Sequence, residues 1–118
     1  MTEARAKTLS DVLPPERVAD LVAFKRAAEA ALPGRVTRVV LFGSRARGDA
    51  HEDSDYDVAV FIRDLESPYG VMRVLSDLTY DKMLEGMNIQ PVPLRDPPVP
   101  EGRRELLWYI EQEGVPVP

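Results

Sequence analysis

VVLFGSRARGDAHEDSDYDVAVFI, Val39 to Ile62, holds two apolar runs joined by a loop that opens on Gly43-Ser44 and closes on Asp55-Tyr56-Asp57. Ten residues lie between Ser44 and Asp55. The runs, taken as Val36 to Phe42 and Asp57 to Ile62, are rich in β-branched residues and too short for confident helices, so both are expected as strands. The second is apolar at nearly every position, which predicts cover on both faces of the sheet. These two strands are expected to be neighbours in the core of an α/β fold.

The loop between them has its own chemistry. Glycine at 43 lets the backbone turn sharply and come close to a ligand, and Ser44 offers a hydroxyl and a backbone N–H to a phosphate oxygen. A short helix after the turn would add its N-terminal dipole. Asp55 and Asp57 are two apart on an extended chain, so both carboxylates leave the same face and can share hard divalent ions with phosphate oxygens. Two such ions would activate an attacking hydroxyl and neutralise a departing pyrophosphate, which suits nucleotidyl transfer. Arg45 and Arg47 follow the turn directly, and five acids crowd positions 49–57, so positive charge gives way to negative within one loop. Such an acidic run alone reads as a solvated loop. Its placement after Gly-Ser and into an apolar strand favours a metal role. Tyr56 is expected on the opposite face as packing, and His51 as a surface residue without catalytic duty.

Outward from this segment, Glu16 to Leu32 has apolar residues at helical spacing, follows Pro14-Pro15 and ends at Pro33-Gly34. Ser67-Pro68 reads as an N-cap and first helical residue, opening a second helix that runs to Gly86. Asn88 to Leu94 (NIQPVPL) reads as a third strand. Pro91 and Pro93 lack N–H donors on one side of it, which implies an edge strand pairing through Gln90 and Val92. A proline-rich connector follows, and Arg103 to Glu113 reads as a last helix closed by Gly114. Leu106 to Ile110 spreads apolar character over more than one face of that helix, leaving part of it for a partner or a second copy, as could Phe24 on the first helix. Residues 1–13 are expected to be flexible.

The chain has 118 residues, 44% apolar and 30% charged, with no cysteine, which fits one soluble globular domain spanning 1–118. No apolar run approaches a membrane span, and Met1 to Ser10 has no leader-like apolar core, so a cytoplasmic protein is expected. The net charge of −5 argues against general nucleic-acid binding.

GSRARGDAHEDSDYDVAV resembles the signature of the polymerase-beta-like nucleotidyltransferases, and its interval matches the minimal (MNT) branch. LLWYIEQEGVPV is similar to the closing helix, Glu-Gly and final short strand of many such proteins, so the resemblance covers roughly residues 15–118. It implies a small twisted mixed β-sheet with helices mainly on one face. It also implies that Gly43 and Ser44 hold the triphosphate of ATP, that Asp55 and Asp57 bind magnesium, and that Arg45 or Arg47 contacts phosphate. The family often carries a third carboxylate on the strand after the second helix. Here Asn88 or Gln90 stands in that region, and a nearby acid such as Asp96 is an alternative base.

Stand-alone MNT domains are often paired with a HEPN-domain protein in toxin–antitoxin systems, where AMP from ATP is added to a tyrosine of the toxin. The resemblance therefore implies an antitoxin-type protein adenylyltransferase. A binding module that neutralises its partner without chemistry, and a small-molecule (antibiotic) transferase, are the alternatives.

Overall fold

A computed structural model describes residues 7–99 and 104–118. Its centre is a four-stranded mixed sheet ordered β3-β2-β1-β4. β1 (Val36–Phe42) and β2 (Tyr56–Ile62) pair antiparallel, with Leu41 opposite Val58 and Phe42 opposite Asp57. β3 (Ile89–Arg95) runs parallel to β2, placing Gln90 beside Asp57. β4 (Val115–Pro116) closes the other side of β1.

β3 is an edge strand, as its prolines predict. Asp96 donates its backbone N–H to Ile62 O, and the two-residue alternation gives Gln90 and Val92 the same direction. Pro91 and Pro93 therefore face outward.

Strand alternation divides the core into two layers. Val39, Leu41, Val58, Val60 and Ile62 pack against α1 (Leu9–Val12), α2 (Pro15–Ala31) and α4 (Pro68–Leu84). Val40, Ala59, Phe61 and Leu94 face α5 (Arg104–Glu113), chiefly its Ile110. Helices thus lie mainly on one face, with α5 alone on the other. α2 and α4 are also tied by Asp20, whose carboxylate meets Lys82 at 2.9 Å and Arg17 at 3.0 Å. Gly114 lets α5 close onto the sheet, because a Cβ there would collide with the Ile110 carbonyl and the Val40 side chain.

Within the stretch expected to be flexible, residues 9–12 form α1, which is capped by reciprocal Thr8–Asp11 hydrogen bonds, and Leu9 and Leu13 are buried. Residues 1–6 of that expected flexible stretch lie outside the described residues. Phe24 is buried under the sheet rather than offered to a partner. By contrast, Trp108 and Tyr109 on α5 stay 57% and 48% exposed and pack edge to face on each other. No described helix is long and apolar enough to cross a membrane.

Candidate functional site

The loop after β1 turns at Gly43, whose φ of 76° is in the left-handed range that favours glycine. The turn opens a single helical turn, α3 (Ser44–Arg47), whose first N–H groups have no intrahelical acceptor. The Ser44 hydroxyl makes no hydrogen bond to a described residue. Donors suited to a phosphate oxygen are thus gathered at the end of β1.

The two arginines diverge. Arg45 donates to the backbone carbonyls of Glu52 and Ser54 at 2.9–3.2 Å and lies over the Tyr56 ring, 4.3 Å from its centre. It staples the loop down, and Tyr56 beneath it is buried packing, as its position between the aspartates predicts. Arg47 instead pairs with Asp49 at 3.2 Å and with Glu113 of α5 at 3.1 Å, and hydrogen bonding to both raises its pKa. It lines an open cleft of about 440 Å³ with Lys7, Gln112, Glu113, Gly114 and Pro116. His51 is exposed in a turn in which its N–H meets Ser54 Oγ.

Asp55 and Asp57 come together at the start of β2. Asp57 continues the row of Phe61 and Ala59 on the α5 side, and its carboxylate receives no hydrogen bond from a described residue. Burial raises its pKa, the charge of Asp55 raises it further, and Arg47 opposes the shift. A half-buried carboxylate without a donor, facing a second carboxylate, fits a hard divalent cation, which would satisfy both with oxygen ligands. Asp57 also fills the space that a side chain at residue 43 would need.

β3 and the residue just before it contribute amides, not acids. Asn88 Nδ2 donates to Asp55 Oδ1 at 2.8 Å, and Gln90 Nε2 donates to Asn88 Oδ1 at 2.8 Å. Sequence spacing left open which of the two stands next to the aspartates. The parallel register puts Gln90 beside Asp57, while Asn88 reaches Asp55. Asp96 is no substitute base: it bonds Thr37 Oγ1 beyond the far end of β3, roughly 26 Å along an extended chain from Asn88. Among the described residues, no group of three or more His, Cys, Asp or Glu is placed to hold a metal. The contact of Glu113 with Arg47 and that of Asn88 with Asp55 were not foreseen in the sequence, since both depend on tertiary placement.

Comparison with known proteins gives a consistent picture. The family model described as polymerase beta, nucleotidyltransferase matches residues 27–98, more than half of the chain. A candidate protein adenylyltransferase of Methanocaldococcus jannaschii is 35% identical over 66 residues, covering 52% of this chain and 67% of the relative. A solved structure of a candidate nucleotidyltransferase from Sulfolobus solfataricus superposes with a TM-score of 0.62 at 19% identity, over 98% of this chain and 90% of the other. A mutant of the MntA-HpeT toxin–antitoxin gives 0.59 at 15% identity, over 85% and 71%. A toxin–antitoxin solved with AMP-PNP gives 0.53 at 18% identity, over 81% and 71%. At these identities the structural likenesses concern the fold.

Proposed function

The chain belongs to the polymerase beta nucleotidyltransferase family, and on that premise we propose that it transfers AMP from ATP to a hydroxyl of a partner protein. The observation that carries this reading is the unsatisfied Asp57 carboxylate next to Asp55, set against the Gly43-Ser44 turn. Gly43, Ser44 and the first N–H groups of α3 would hold the triphosphate, and Arg47, drawn from Asp49 and Glu113, would add positive charge to it. Arg45 supports the loop from behind and reaches phosphate only by leaving its carbonyls. Asp55 and Asp57 would hold two magnesium ions, whose chemistry there is to neutralise the triphosphate and acidify the attacking hydroxyl.

The acceptor oxygen forms a bond to the α-phosphorus, the bond to the β-phosphate oxygen breaks, and pyrophosphate leaves. Asn88 and Gln90 cannot take the acceptor proton, so it passes to water. A tyrosine acceptor suits such a site, because a phenol gives up its proton more readily than an alkyl hydroxyl. The fold likeness to toxin–antitoxin proteins supports a toxin as partner, and we propose a HEPN-domain protein in the cytoplasm, docking in part on the exposed Trp108 and Tyr109 of α5.

The experiment is mass spectrometry of the cognate HEPN protein after incubation with this protein, ATP and magnesium. An added adenylate that disappears with Asp55→Asn is expected. The same spectrum with and without the aspartate would remove the reading.

One observation favours a second reading. With the amides of Asn88 and Gln90 at the start of β3 in place of an acid, the fold would serve as a binding module that neutralises its partner without chemistry. In that case folded Asp57→Ala protein still protects cells from the toxin.

A further inference from the structure

The amides of Asn88, just before β3, and of Gln90 within it are connected to the site in one direction. An ionised carboxylate only accepts hydrogen bonds, so the contact with Asp55 Oδ1 fixes Asn88 Nδ2 as the donor. Asn88 Oδ1 is then the acceptor, and Gln90 turns its Nε2 toward it. The charge of Asp55 thus sets the orientation of two amides in series. The backbone makes the arrangement rigid, because Tyr56 N–H bonds Asn88 O at 2.9 Å and locks the register of β2 and β3 at this point. Asp57, although level with Gln90, takes no part in the chain.

We propose that Asn88 and Gln90 are positioning residues that hold the exposed Asp55 carboxylate in one rotamer for divalent cation, leaving Asp57 to supply unengaged oxygens. The inference rests on the nucleotidyltransferase reading above. Asp55 is exposed and precedes the first residue of β2, so without a tether its side chain would be free to exchange rotamers, and a cation would have to bear the cost of ordering it. Hydrogen bonds from outer groups to ligating carboxylates commonly change metal affinity by about 10–100-fold. Gln90 acts only through Asn88, and that serial dependence separates positioning from mere packing.

The test is manganese affinity, read from the electron paramagnetic resonance of the free ion, for wild type, Asn88→Ala, Gln90→Leu, the double variant and Asp55→Asn. Asn88→Ala is expected to weaken binding about tenfold or more. Gln90→Leu is expected to weaken it less, and the double variant should be no weaker than Asn88→Ala, because the second change removes a contact already lost. Nitrogen-15 spectra supply an independent readout: Gln90→Leu should shift the Asn88 side-chain amide signals. Should Gln90→Leu fail to fold, Gln90→Met also removes the donor at similar volume. Additive losses, or unchanged affinity in both single variants while Asp55→Asn abolishes binding, would overturn the positioning role and leave the transferase reading standing. Wild-type protein that binds manganese no better than Asp55→Asn would end both.

Discussion

Gly43 and Asp57 share one space: a Cβ at residue 43 would stand 2.5 Å from Asp57 Oδ2. The turn and the carboxylate strand are therefore a single packed unit. Gly43→Ala meets both this clash and the strain of a positive φ, and it is expected to cost about 1–3 kcal/mol in stability. Divalent-ion binding by calorimetry should weaken at the same time, since Asp57 has to move. A variant that melts and binds like wild type contradicts the shared packing.

Asp57 gives the ion-free protein a distinct pH response. Its pKa is raised by burial and by Asp55, so the folded state holds its proton more tightly than the unfolded state. Its contribution to stability is complete below the unfolded value and is lost as pH rises through the folded one. In chelator, Asp57→Asn should therefore melt above wild type at pH 7, with the gap closing toward acid. Thermal melts across pH check this, and magnesium should narrow the gap at neutral pH.

Asp20 should behave with the opposite sign. Burial alone would raise its pKa, but the hydrogen bonds from Lys82 and Arg17 outweigh it and leave the pKa lowered. Its contribution is present above the unfolded value and disappears as pH falls through the folded one. Asp20→Asn is expected to cost about 0.5–1 kcal/mol at pH 7, because the partners are partly solvated, and almost nothing in strong acid. Denaturant titrations at the two pH values measure the difference.

Arg45 and Arg47 should separate by assay. Arg45→Ala removes three hydrogen bonds to carbonyls and the Tyr56 contact, so its main effect is expected on stability, about 1–2 kcal/mol. Arg47→Ala breaks the ion pairs with exposed Asp49 and partly buried Glu113 and should lower the melting temperature only slightly while, on the function proposed above, weakening ATP binding several-fold. Equal loss of ATP affinity in both, without destabilisation by Arg45→Ala, would reverse these assignments.

Trp108→Ser should leave stability within about 0.5 kcal/mol, since that side chain is more than half exposed, yet weaken association with the partner proposed above. Surface plasmon resonance against the immobilised partner reads this directly.

Much of this was legible in the chain. β1 is found at Val36–Phe42 as expected, and β2 and β3 begin or end within one residue of expectation, because β-branched runs and paired prolines are local signals. α1 was not legible: four residues carry no period, and only the burial of Leu9 and Leu13 against distant elements explains it. Nor did local spacing separate Arg45 from Arg47, since the difference lies in where the Tyr56 ring and Glu113 arrive. The Asn88–Gln90 chain was visible as two amides but not as a connection, which needs the parallel register of β2 and β3.

The outward prolines of β3 have a consequence for how this protein lives among its copies. A sheet margin grows by lending N–H groups to an incoming strand, and Pro91 and Pro93 have none to lend. The opposite margin, β4, is two residues long and includes Pro116. The sheet is thus terminated chemically at both sides: it is a poor template for strand-by-strand polymerisation, and a partner is steered toward helices and loops instead.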